Sequence, residues 1–465
     1  MNMKPHSLLL LALLAGCAVT HVDAPRPAPA PAQFKETGLW QHARPDLAVP
    51  DTWWTLFNDP VLDDLEQRLL VGNENLKSVA AQVANARALL AAADAAWLPT
   101  LSLDGSGTRS KANSSGTPSA RSITNSASLS ANASWELDLW GRISEGQSQA
   151  RAGLQAGSAD LAAAKLSAQA LLLQSYLALR TAEVQGELLD RSVVAYTRSL
   201  ELTRDRHAGG VAAQTDVLQA ETQLNNAKAQ AADLKAQRAQ AEHALAVLLG
   251  LPPSALKIEP AAHLPTAPDV PELLPATLLE RRPDIAAAQA RVASAYAQIG
   301  IADAAYFPSL TLSANGGYRS STLSQLISTP NLFWSVGASM AESLLDGGQR
   351  KLASAQARNA ADIATATYRQ TVLTALQEVE DNLVLAEQLR RQAELQSQAV
   401  DAARRNLEIT QDQYRAGTVG YLNVVTAQTA LLSSESSLIG VRDRQLVAVG
   451  TLLKNIAGRW EPAKP

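Results

Sequence analysis

Cysteine is almost missing from this chain: Cys17 is the only one in 465 residues, so no intramolecular disulfide can form. Aromatic residues are scarce too, 4% against 46% hydrophobic residues, many of them alanine. That balance disfavours a bulky globular core and suits long helices that approach closely at small residues. With a net charge of −4 and no basic cluster, the chain lacks the electrostatic footprint of a nucleic-acid binder. After the N-terminal leader no run reaches about eighteen apolar residues, so no transmembrane helix is expected, and a bilayer crossing would have to be a closed β-barrel. HExxH, Gly-x-Ser-x-Gly and Walker sequences are missing, and His6, His21, His42, His207, His243 and His263 show no ligand spacing. No catalytic residue, metal or cofactor is therefore expected.

What is present starts at the N-terminus. Lys4, the apolar run Leu8 to Leu14 and Leu14-Ala15-Gly16-Cys17 read as a lipoprotein signal peptide over residues 1–16, with Cys17 left N-terminal and acylated by chains such as palmitate. Ala18 rather than Asp follows, which by resemblance to bacterial lipoproteins favours outer-membrane sorting. Residues 17–60 then form a tether and extended segment that includes the Pro/Ala stretch Ala24 to Pro31.

The body of the chain is duplicated. Asp94-Ala95-Ala96-Trp97-Leu98-Pro99-Thr100-Leu101 returns as Asp303-Ala304-Ala305-Tyr306-Phe307-Pro308-Ser309-Leu310, and Leu200-Glu201-Leu202-Thr203-Arg204-Asp205 returns as Leu407-Glu408-Ile409-Thr410-Gln411-Asp412. The shift, about 208 residues, is far longer than a solenoid period of roughly 20 to 50. Two large pseudo-symmetric repeats are expected, over residues 61–250 and 277–458, with a Pro-rich linker at 251–276 and a tail at 459–465.

Each repeat switches hydrophobic period from helix to strand and back. Ala127, Leu129, Ala131, Ala133, Trp135 and Leu137 alternate with Ser126, Ser128, Ser130, Asn132, Ser134 and Glu136, the signature of a strand with one apolar and one polar face. This gives one strand hairpin over residues 98–140, with Thr108 to Ser122 as an outer loop, and a second over 307–345. Trp97, Trp135, Trp140, Tyr306, Phe307, Phe333 and Trp334 fall near the segment ends, as in the aromatic girdles of a membrane barrel. A soluble sandwich edge is the competing reading. Arg142 to His207 and Arg350 to Arg415 lack proline and carry coiled-coil spacing, for example Leu189, Val193, Tyr196, Leu200. At about 1.5 Å per residue each spans on the order of 100 Å, too long to lie within a bilayer of about 30 Å. Four strands cannot close a barrel when the smallest has about eight, so an oligomer is required: dimer, trimer and tetramer give eight, twelve and sixteen strands.

The lipobox at Cys17, Trp53-Trp54 with Phe57, Leu98-Pro99, Phe307-Pro308, Trp135-Glu136-Leu137-Asp138-Leu139-Trp140-Gly141-Arg142 and Glu280-Arg281-Arg282-Pro283-Asp284-Ile285 together resemble the outer-membrane factors of the TolC type, in the NodT/OprM-like lipoprotein branch. The resemblance implies a mainly helical homotrimer: a twelve-stranded outer-membrane β-barrel, a periplasmic tunnel of long helices, and passive efflux of drugs, toxic small molecules or metal ions. It also implies a periplasmic adaptor and an inner-membrane resistance-nodulation-division pump as partners. A type I protein-secretion duct and a periplasmic helical-hairpin adaptor are the alternatives.

The helix-helix turns Ala208-Gly209-Gly210-Val211 and Ala416-Gly417-Thr418-Val419-Gly420 hold glycines that permit a tight reversal, and are expected to form the far periplasmic tip. Family members commonly place carboxylates just after the second turn. The matching residues here, Asn423 and Thr426, are neutral, and their first-repeat equivalents are Asp216 and Gln219. The expectation is a gate closed by Leu422 at the axis, with polar contacts of Tyr421 and Asn423 and with Asp216 as the nearby acid. Ordinary hairpin packing of Leu422 is the alternative.

Overall fold

The computed structural model describes residues 31, 33–36, 50–113, 121–261, 263–270 and 281–457. Cys17 and its leader lie outside the described residues. A 3-10 turn at Trp53–Phe57 leads into α1 (Pro60–Gly72) and α2 (Glu74–Ala95), followed by β1 (Thr100–Asn113), β2 (Arg121–Leu137), α3 (Arg142–Ala208) and α4 (Gln214–Leu248). The second half runs α5 (Pro283–Ala304), β3 (Ser309–Ser320), β4 (Leu332–Ala341), α6 (Gln349–Arg415) and α7 (Tyr421–Ile456). The order of elements from α2 onward repeats, as the duplication requires. None of the described helices is long and apolar enough to cross a membrane.

The chain divides into two compact units, and neither is a sequence repeat. One holds Gln82–Gly157 and Ala287–Tyr368; the other holds Ala28–Ala81, Ser158–Ala286 and Arg369–Pro465. Each unit takes corresponding pieces of both repeats, because each copy's strands and helix ends pack on their counterparts.

In the first unit the four strands form one antiparallel sheet in the order β1-β2-β3-β4. The first hairpin is longer than its hydrophobic alternation shows. Thr108 to Asn113 and Arg121 to Ser122, expected as loop, continue the ladder from Thr108↔Ser126 out to Asn113↔Arg121. The ladder persists there with little apolar side chain, Ser110 and Thr124 pairing their hydroxyls across it at 2.8 Å as Ser106 and Ser128 do just before it. Only residues 114–120, which are not described, separate the two strands.

The second unit is organised around Trp53, Trp54 and Phe57, packed with Leu62, Leu65 and Leu69 of α1, Leu172, Leu173, Tyr176 and Leu177 of α3, and Val449, Leu452 and Leu453 of α7. Helix α1 starts where it does because Pro60 occupies its first turn and the Asp59 carboxylate accepts from the Val61 and Leu62 N–H groups at 3.0 and 3.3 Å. The start of the Pro-rich segment, from Leu256 to Ala261, is tightly fastened. Its Leu256 and Ile258 are buried in the same core. Arg238 donates to the Ile258 carbonyl at 2.7 Å, Arg180 to the Glu259 carbonyl at 3.0 Å, and Glu183 accepts from the Ala261 N–H at 3.1 Å. Arg180 and Glu183, both with side chains only 4% exposed, pair at 2.7 Å, and Arg238 reaches Glu183 at 2.9 Å. Buried charges are tolerated when they are paired and hydrogen-bonded in this way.

Candidate functional site in the sheet faces and hairpin turns

The register sorts every strand side chain onto one of two faces. Ser102↔Asn132, Asn132↔Asn315 and Asn315↔Ser335 run across one; Leu103↔Ala131, Ala131↔Gly316 and Gly316↔Trp334 run across the other. On the polar face Asn132 Nδ2 donates to Asp104 Oδ2 at 2.5 Å, Ser102 Oγ donates to the same oxygen at 3.1 Å, and Asn315 Nδ2 donates to Asn132 Oδ1. The apolar face has no protein cover: Leu101 and Trp334 are each 77% exposed, and Leu103, Val336 and Met340 are exposed beside them. Such a bare apolar face fits lipid, with the hydroxyl- and amide-rich face turned to a wet lumen. Trp135, Leu129 and Leu137 fall on the apolar face, Ser130 and Asn132 on the polar one, as the alternation predicts.

Aromatic rings gather where strands meet helices. Trp135 Nε1 donates to the Trp97 carbonyl at 3.0 Å, Trp140 Nε1 to the Pro308 carbonyl at 2.6 Å, and Trp140 stacks on Phe307 with centroids 4.9 Å apart. Two aspartates turn the chain from strand to helix. Asp138 accepts from the Ile143 and Ser144 N–H groups at 3.0 and 2.8 Å, and Asp346 from those of Gly348 and Arg350 at 2.9 and 3.1 Å. Both carboxylates neutralise the donor ends of the 67-residue helices α3 and α6. Sequence reading passed over these caps, although an aspartate just before each long helix was the available signal.

In the second unit the α3–α4 and α6–α7 turns converge on one cluster of Tyr196, Leu200, Val217, Tyr414, Tyr421 and Val424. The glycines divide by role. Gly210 and Gly417 adopt φ of +71° and +78°, the left-handed conformation that closes each turn. Gly209 and Gly420 do not: Gly420 caps α7 with φ −76°, an extended conformation open to other residues, and Gly209 is not among the positive-φ glycines. Arg206 links the turns by donating to the Tyr414 carbonyl at 2.9 Å and lying 4.6 Å from the Tyr414 ring centroid.

The anticipated gate residues separate by helical face. Tyr421, 1% exposed, is enclosed within its own protomer, where its hydroxyl lies 3.1 Å from Ser199 Oγ and burial pushes its pKa up. Leu422, Asn423 and Thr426 point the other way: Leu422 is 60% exposed, the Asn423 amide donates to the Gly420 carbonyl at 3.3 Å, and the Thr426 hydroxyl donates to the Leu422 carbonyl at 2.9 Å. Asp216 sits partly exposed in the first turn of α4, the position that corresponds to Asn423 in α7.

Sequence reading also missed Glu66 of α1, which is fully buried with neither carboxylate oxygen hydrogen-bonded in the structure. Burial, reinforced by Asp63, pushes its pKa up to about 9. Its place on the apolar stripe Leu62, Leu65, Leu69 was the signal. Among the described residues no cluster of His, Cys, Asp and Glu is arranged to hold a metal ion.

Known proteins with this arrangement agree with one another. The chain is 30% identical to the pyoverdine export outer membrane protein OpmQ of Pseudomonas aeruginosa, aligned over 99% of this chain and 98% of that protein. It is 31% identical to the antibiotic efflux pump outer membrane protein ArpC of Pseudomonas putida, over 98% and 96%. Among solved structures, the outer-membrane channel OprN superposes with a TM-score of 0.88 at 29% identity, covering 95% of this chain and 99% of that one. Residues 65–251 and 274–458, one span in each repeat, match the outer membrane efflux protein family. The chain belongs to that family, with the TolC-like architecture of an outer-membrane channel.

Proposed function

We propose that three copies assemble into a passive exit duct that is anchored through acylated Cys17 and catalyses no chemistry. The observation that carries the reading is the four-stranded sheet with a bare apolar face and two unpaired edges, joined to helices of 67 residues. Unpaired edges in lipid cost several kcal/mol per exposed backbone group, so β1 and β4 must pair with other copies, and three copies give the twelve strands of a barrel in the family's range. A periplasmic adaptor and an inner-membrane resistance-nodulation-division pump supply the cargo and the energy. The cargo is small molecules of the kind for which relatives are named: antibiotics, solvents or pyoverdine.

Copies of Leu422, exposed at the start of α7, meet at the axis and close the turn end of the duct. Asn423 and Thr426 border them without charge, so the constriction selects weakly between cations and anions. In planar bilayers Leu422→Ser raises opening frequency or conductance several-fold, while Ser130→Ala in the strand lumen leaves both unchanged. An unaltered closed state in Leu422→Ser places the constriction elsewhere.

A further inference from the structure

The outer part of the sheet carries charge of one sign. From Gly105 to Trp135 there are three basic residues, Arg109, Lys111 and Arg121, and no acidic one; from Ser309 to Ala341 there is Arg319 and again no acid. This occurs in a chain whose net charge is −4. The bias sits in the strand segments farthest from the helices.

Register fixes which way three of these cations face. Arg109 pairs with Asn125 and Lys111 with Ile123, in the same alternation as Leu101, Leu103 and Leu129. Both are therefore on the lipid-facing side, and both are exposed. Arg319 pairs with Ser128 and lies over the Phe333 ring at 5.1 Å, on the lumen side.

Their height follows from the strand. Trp135 belongs to the aromatic cluster where strands meet helices, the position of an inner girdle, and Asn125, level with Arg109, is ten residues farther along β2. At about 3.4 Å per residue and a tilt of about 40°, that run climbs about 26 Å, and Lys111 stands about 5 Å higher. The apolar band of an outer-membrane barrel is about 25 Å tall. Both cations thus emerge at the outer headgroup level, where a basic side chain carries little insertion cost.

We infer that Arg109 and Lys111 form a binding site for the phosphate groups of the outer-leaflet glycolipid, lipid A. Side chains two residues apart on one strand face are about 7 Å apart, so a guanidinium and an ammonium straddle one phosphate, and no acid on these strand segments competes for them. Six such cations would surround a trimer. The inference rests on the barrel reading above.

The test uses the purified full-length oligomer in detergent, with lipid A carrying its phosphates and a phosphate-free form with the same acyl chains as probes. The wild type retains the phosphorylated form about 20-fold more tightly, as expected for two cations at an anionic surface. The double variant Arg109→Gln/Lys111→Gln loses the preference but still forms the heat-modifiable oligomer, whereas Arg319→Gln keeps it. Equal retention of both lipids by the wild type, a preference surviving in the double variant, or its loss in Arg319→Gln overturns the inference. So does inorganic phosphate alone competing as well as lipid A. Absence of any oligomer would instead contradict the barrel reading.

Discussion

At the scale of single residues, the most telling group is one that does not help the fold. Glu66 stays protonated in the folded chain up to about pH 9, whereas its ordinary value is 4.5. Between those values the unfolded chain has released the proton and the folded chain has kept it. Folding therefore takes up a proton, and stability falls as pH rises through that window, by at most about 1.4 kcal/mol per pH unit. Glu66→Gln removes this penalty at little cost in shape. Urea midpoints measured from pH 5 to 9 should decline for the wild type and stay flatter for Glu66→Gln; parallel profiles would show that Glu66 is ionised in the fold. The paired carboxylate Asp284 behaves oppositely: despite burial, Arg282 at 2.6 Å holds its pKa below the ordinary range. Arg282 also reaches Glu378 of α6 at 3.0 Å, which gives Arg282 and Asp284 a structural purpose as a clamp on the start of α5.

At the scale of elements, alternation along β2 makes a sharp prediction. Leu129→Arg places a charge in lipid at a cost of about 2 to 4 kcal/mol near the midplane, while Ser130→Arg places it in the lumen. Assembled oligomer extracted from outer membranes should fall steeply for the first and little for the second; equal accumulation would mean a register slipped by one. The strands, both long helices and the two turns were legible in the sequence because each has an unmistakable period or a glycine at the reversal. The outer reach of the first hairpin was not, since Thr108 to Asn113 lacks apolar alternation and is held by the backbone ladder and the Ser110–Thr124 hydroxyl pair. The packing of the residues at the second turn was legible only in part. A turn locates Tyr421 and Leu422, but which of two neighbours is buried depends on helical phase against Tyr414 and Ser199, which only packing reveals.

At the scale of the whole molecule, the proposed duct has two independent attachments, the anchor and the barrel. Acyl chains at Cys17 would bind the inner leaflet, while the barrel holds itself in the bilayer through its apolar face. Cys17→Ser behind an alternative cleavable signal should abolish metabolic labelling by palmitate yet leave channel in the outer membrane. Labelling that persists would exclude Cys17 as the acylated residue.

The duplication supplies four strands per chain, and their number leaves both sheet edges open in one copy. Everything proposed for the duct, the gate and the glycolipid site depends on those edges being closed by other copies. The mass of the detergent-extracted particle, determined by native mass spectrometry, tests this most directly: three copies per particle are predicted, and a stable monomer or dimer would contradict the account.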